Sequence, residues 1–220
     1  MPPPAPVAEA RLPDAGDRHD EVPGEIVYAT KVLGKLIAYL AARPGSTLLD
    51  LGIAIGSNIR YFTEQVGCRM VVADLAGEIE RHGHGGDDHS LARALDEWFT
   101  QRGESVDGVL CWDMFDYLPA EPASIVARQV TRVLAPNGLV FGMFRTTAPP
   151  LHHYTRHLIV DESHVRHQPY GSPSRKVGVL SNRDIIRLFT GLRVSESFLL
   201  KTNVHEVLFR KPEYLVRRGR

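Results

Sequence analysis

Cysteine is nearly absent from this chain: Cys68 and Cys111 are the only two among 220 residues, and neither has a neighbour at zinc-knuckle or Cys-x-x-Cys spacing. That scarcity argues against a disulfide-stapled scaffold and a thiolate metal centre, and predicts two buried, reduced thiols in a cytoplasmic protein. Excess charge is missing too, since 26 basic residues balance 26 acidic ones. A balanced surface has no general attraction for nucleic acid or anionic membrane, so neither partner is expected. No apolar run approaches the roughly 20 residues that span a bilayer, and the opening Met1-Pro-Pro-Pro-Ala-Pro6 lacks the basic and apolar stretches of a secretion signal. What the chain does have is 43% hydrophobic against 24% charged residues, enough to fill one sizeable core.

Residues 1–22, rich in Pro, Ala and Asp, read as a disordered or loosely docked arm, residues 23–211 as one domain, and residues 212–220 as a basic, solvated tail. Ile26, Ala29, Leu33, Leu36, Ile37 and Leu40 recur at three-to-four spacing, which predicts an amphipathic helix ending before Pro44-Gly45. The apolar run 47–51 predicts a strand buried on both faces, residues 59–66 a helix, and 69–74 a second strand. Strand, helix, strand is half of a doubly wound parallel sheet. Helical spacing over 91–99, a strand at 108–112, a helix over 124–133 and a strand at 139–144 continue the alternation. A capping box at Ser181-Asn-Arg-Asp184 starts another helix, Gly191 closes it, and strands at 194–200 and 205–209 end the domain. Residues 151–171 break the pattern, with two extended segments around a polar turn at 161–163, and predict an inserted hairpin or lid.

The most informative segment is Asp50-Leu-Gly-Ile-Ala-Ile-Gly-Ser-Asn58. A strand that ends in an acid and turns through glycines into a helix offers backbone N–H groups to a ligand. Gly52 and Gly56 permit close approach of that ligand, and Asp74, ending the next strand, stands where a carboxylate accepts hydrogen bonds from two ribose hydroxyls. Together these residues describe a nucleoside site. The strict Gly-x-Gly-x-x-Gly fingerprint of dinucleotide enzymes is absent, because Ala54 holds the middle glycine position.

In these features the chain resembles the class I S-adenosylmethionine-dependent methyltransferases, over roughly residues 25–211. The resemblance implies an α/β domain with a doubly wound, mostly parallel sheet and an antiparallel last strand. It also implies S-adenosyl-L-methionine as cofactor, its methionine part held by Asp50, Gly52, Ala54 and Gly56, with Asn58 closing the loop, and its ribose held by Asp74. Asp107-Gly-Val-Leu-Cys-Trp-Asp113 resembles the fourth-strand motif bordering the methyl-transfer centre, and Leu134-Ala-Pro-Asn-Gly-Leu139 the turn before the fifth strand. The interval between Asp74 and Val109 leaves little room for a third strand, so that edge is expected to be shortened or missing.

Trp112 and Asp113 are candidate cofactor contacts, Trp112 either covering the adenine or filling the core. Asp113, Tyr117 and His153 are candidate catalytic residues at the acceptor side. Histidines crowd residues 152–167, but extended spacing sets His153 and His157 too far apart for a metal pair, so no metal is expected. The hairpin is expected to roof the acceptor and contribute little to holding the cofactor. The reading that follows is methyl transfer to a small-molecule acceptor. Its alternatives are an inactive methyltransferase-fold partner subunit and an NAD(P)-dependent oxidoreductase; the oligomeric state is open.

Overall fold

The computed structural model describes residues 26–75, 77–79, 87–147, 153–173 and 178–213; the expected N-terminal arm and most of the basic tail lie outside them. A six-stranded sheet forms the centre, in the order β3 (Arg69–Val72), β2 (Thr47–Asp50), β4 (Val106–Trp112), β5 (Leu134–Arg145), β9 (Val204–Arg210) and β8 (Arg193–Leu199). The first four strands run parallel, β9 is antiparallel to β5, and β8 is antiparallel to β9. This is the doubly wound sheet with an antiparallel return that the sequence predicts. Among the described residues the sheet ends at β3, as the short interval after Asp74 implies.

Alternation along buried strands builds two cores. Leu49, Val109 and Cys111 face α3 (Asp88–Trp98), α4 (Ala120–Val133) and α5 (Asn182–Leu188) on one side. Leu48 and Leu110 face α1 (Leu33–Ala41) and Phe62 on the other. Fully burying one such side chain stabilises by about 1.5–3 kcal/mol, which fixes which face of each strand meets which layer. Both local helix signals hold: the Ser181 hydroxyl accepts from the Asp184 N–H at 3.2 Å, and Gly191 turns at φ +96° beyond α5, a left-handed angle that glycine adopts without strain. Among the described residues no helix is long and apolar enough to cross a membrane.

A second, three-stranded sheet has the order β1 (Ile26–Ala29), β7 (His164–Pro173), β6 (His153–Asp161). It corrects one expectation, because residues 26–29 are strand and not the first turn of α1. Ile26 pairs with His167 and Ala29 with His164, and the apolar spacing is misleading since Ile26 and Val27 are both about half exposed. The helix begins only after Thr30, whose Oγ1 accepts from the Leu33 N–H at 3.2 Å. The β6–β7 pair is the expected inserted hairpin.

Candidate active site

In open α/β sheets ligands bind beyond the carboxyl ends of the strands, where the chain departs to opposite sides. Here that point lies between β2 and β4, since β2 is followed by β3 on one flank and β4 pairs on the other. Asp50 ends β2, Asp74 follows β3, and Trp112 ends β4 with Asp113 next. From Ile55 the loop enters α2 (Gly56–Arg60), which continues as a π-helical turn over Tyr61–Val66.

The loop divides into an open and a covered half. Ala54, Gly56 and the Asp74 side chain are exposed, and a Cβ placed on Gly56 would meet no atom within 4 Å. Nothing in the fold therefore demands glycine at position 56. Gly52 is different: a Cβ there would lie 2.5 Å from Trp112 Cδ1, so the indole itself requires the glycine. Trp112 Nε1–H donates to Asp50 Oδ1 at 2.7 Å, and the Gly52 N–H donates to the same oxygen at 2.9 Å. Burial pushes the Asp50 carboxyl up to about 6, while these two donors pull the other way. Trp112 holds φ +49° and Asp74 φ +44°, left-handed angles that are rare for a bulky residue and that cluster at functional sites.

Behind Trp112 lies a buried polar chain. His157 stacks on the indole with ring centroids 5.0 Å apart and planes 7° from parallel. Its Nε2 lies 2.8 Å from Asp113 Oδ1, and the Tyr117 hydroxyl donates to Asp113 Oδ2 at 3.2 Å. The carboxylate accepts, so Nε2 carries a proton. Burial and the Asp113 charge drive the Tyr117 phenol far above its ordinary range, which keeps it a hydrogen-bond donor. The space left among Leu51, Gly52, Ile79, Cys111, Met114 and Tyr154 is about 30 Å³, room for water and far below the roughly 300 Å³ or more of a small-ligand pocket.

The structure thus gathers Asp50, Gly52, Trp112, Asp113 and Tyr117, and sets Ala54, Gly56 and Asp74 on the open side. Asn58 is turned elsewhere. It is buried, its Nδ2 donates to the His157 carbonyl at 2.7 Å, and its Oδ1 accepts from the Ile159 N–H at 2.9 Å. Its amide is spent on the hairpin rather than presented to a cofactor. The hairpin therefore packs on the glycine-loop helix itself. His153 opens β6, but its side chain lies outside the described residues; His157, four residues on, reaches Asp113. Among the described residues no group of three or more His, Cys, Asp or Glu has the grouping of a metal site.

The sheet order, the antiparallel return and an acid-glycine loop at the switch point define a nucleoside-binding α/β domain. The comparisons narrow this class. A family model described as methyltransferase domain matches residues 27–192, and the chain belongs to that family, bearing out its likeness to class I S-adenosylmethionine-dependent methyltransferases. No curated protein matches by sequence. Among solved structures, the 1,6-didemethyltoxoflavin-N1-methyltransferase of Burkholderia thailandensis, with bound 1,6-didemethyltoxoflavin and S-adenosylhomocysteine, is 16% identical, over 81% of this chain and 77% of that one, with TM-score 0.48. An S-adenosylmethionine-dependent methyltransferase from Mesorhizobium loti is 14% identical, over 80% and 96%, at TM-score 0.48. A candidate sarcosine dimethylglycine methyltransferase from Galdieria sulphuraria is 13% identical, over 81% and 82%, at TM-score 0.50. At these identities the likeness is one of fold.

S-adenosylmethionine is the cofactor that this family membership brings, and the residues present fit it. The exposed Asp74 carboxylate lies close enough to raise the Asp50 carboxyl, and Gly56 leaves its surroundings clear of side chains. The covering of Gly52 by Trp112 and the small space beside it stand against access.

Proposed function

We propose that the protein transfers a methyl group from S-adenosylmethionine to a small-molecule acceptor. Asp74 would hold the ribose, and Asp50, Gly52, Ala54 and Gly56 the methionine part. Bound there, the cofactor supplies an electrophilic methyl group on a sulfonium. Asp113, Tyr117 and His153 are the acceptor-side groups, with His157 seated against Asp113. With the hairpin docked, Asp113 accepts from the His157 ring at Nε2 and from the Tyr117 hydroxyl. His157 is 3% exposed and Asp113 6%, and a site so deep under the hairpin suits a small molecule better than a residue of a macromolecule. Cytoplasmic residence belongs to the same reading, with Cys68 and Cys111 as buried free thiols.

The convergence of Asp50, Asp74 and Asp113 at the carboxyl ends of three adjacent parallel strands carries this reading. Calorimetric titration with S-adenosylhomocysteine tests it. The parent should bind, and Asp74→Ala should lose about 1.5–3 kcal/mol, the scale of charge-assisted hydrogen bonds to a carboxylate. An unchanged affinity in Asp74→Ala would remove the ribose assignment. The second reading, a methyltransferase-fold subunit without turnover, draws on one observation, the indole seated over Gly52; absence of binding by the folded parent would favour it.

A further inference from the structure

The Trp112 indole lies against Gly52, on the path of any ligand that follows the glycine loop, and it is held there from outside. His157 stacks on its outer face, and His157 is in turn fixed by Asn58, which bonds the backbone on either side of Leu158. At the far end of the hairpin the Thr30 N–H donates to the Ser163 carbonyl at 2.7 Å, and the Glu162 carbonyl oxygen lies 2.9 Å from where a Cβ on Gly34 would stand. Gly34 thus leaves room for the turn to dock on α1.

This docked arrangement is costly. Trp112 is held at φ +49°, and His157 Nδ1, His167 Nδ1 and His167 Nε2 are buried without hydrogen-bond partners among the described residues. Buried polar groups of this kind are rare in folded proteins and call for a physical reason. Backbone strain beside them is characteristic of elements that exchange between two positions.

We infer that the β6–β7 hairpin is a latch that, docked through Asn58 and Gly34, clamps Trp112 over Gly52 and excludes S-adenosylmethionine until it lifts. This rests on the cofactor reading above and adds the sign of the hairpin's effect. A lid that closes over a ligand helps to hold it, so loosening such a lid weakens binding. A latch competes with the ligand, and loosening it strengthens binding, because the apparent affinity rises with the fraction of molecules in the open state.

The probe is S-adenosylhomocysteine, with calorimetry for affinity and stopped-flow tryptophan emission for association rate, on the full chain. Asn58→Ala removes both side-chain bonds to the hairpin. Gly34→Ala sets a Cβ against the Glu162 carbonyl while favouring helix in α1, so it disturbs docking from the opposite end and decides the matter alone if Asn58→Ala does not fold. Both variants should bind faster and more tightly than the parent, Asn58→Ala by about tenfold, the scale of two lost hydrogen bonds, and Gly34→Ala by roughly several-fold. In the parent, adding S-adenosylhomocysteine should speed hydrogen exchange at the Ile159 amide, which docking protects. Folded variants that bind no better than a parent that does bind, or an Ile159 amide that ligand protects further, overturn the latch and leave the cofactor reading standing. If none of the folded proteins binds S-adenosylhomocysteine, both fall together.

Discussion

His167 supplies a measurement in which one proton can be followed. Its ring is buried between Tyr28, at 4.4 Å between centroids, and His157, at 4.6 Å, and neither ring nitrogen has a hydrogen-bond partner among the described residues. Burial, followed by the nearby His157, drives its pKa down to about 3, with Asp113 pulling weakly the other way. In the unfolded chain the ring titrates near 6.5. Between those values only the unfolded chain binds the proton, so stability is fully present above pH 6.5 and is lost as pH falls toward 3. At pH 5 the loss is about 2 kcal/mol, from one and a half pKa units at about 1.36 kcal/mol each. His167→Phe removes the titration. The larger ring changes packing by the same amount at every pH, and Asp50 titrates alike in both proteins, so the comparison isolates His167. Urea unfolding at pH 7.5 and 5.0 should show the parent losing about 2 kcal/mol more than His167→Phe on acidification. Equal losses in the two proteins would show that the ring is solvated or hydrogen-bonded, and the hairpin interface would not be dry.

Two further outcomes follow from the Asp50–Trp112 pair. Gly52→Ala places a methyl 2.5 Å from the indole, so Trp112 should shift, with about 1–3 kcal/mol lost in thermal unfolding and a changed emission from one of the chain's two tryptophans; an unchanged spectrum would contradict the packing. Trp112→Phe removes the N–H that holds the Asp50 carboxyl down, so its pKa should rise beyond about 6. A raised carboxyl contributes stability that is present below its unfolded value and is lost as pH rises through its folded value. The variant should therefore lose more stability than the parent between pH 5 and 8 in urea titrations, and parallel curves would count against the bond.

The parts of this molecule that were legible in the sequence are those written in short windows. Buried parallel strands read as apolar runs at Leu48–Leu49 and Val109–Cys111, the Ser181 cap and Gly191 stop bracket α5, and the acid-glycine loop and Asp74 announce the site. The spacing of residues 26–29 continues that of α1, although Ile26 and Val27 are half-exposed and Tyr28 packs on His167 of β7. The hairpin was visible as an element, but its seat was not. Asn58 meets Ile159 across 101 residues, and Trp112 meets Asp50 across 62, so no local pattern records that they touch. The contact of His157 with Asp113, across 44 residues, is hidden on the same grounds, since the docking of β6 decides it.

Ala54, which holds the middle glycine position of the loop, shows what a motif does and does not require. A glycine is needed where the backbone turns left-handed or where another group sits against the Cα. Position 54 has neither demand: Ala54 is not among the non-glycine residues at positive φ, and its side chain is exposed. An alanine there adds one methyl to the open face and costs the backbone nothing. Gly52 does carry the second demand, through the indole of Trp112. Within the loop the glycine that the fold requires is therefore the one beneath the indole, and the alanine at position 54 falls where the chain tolerates it.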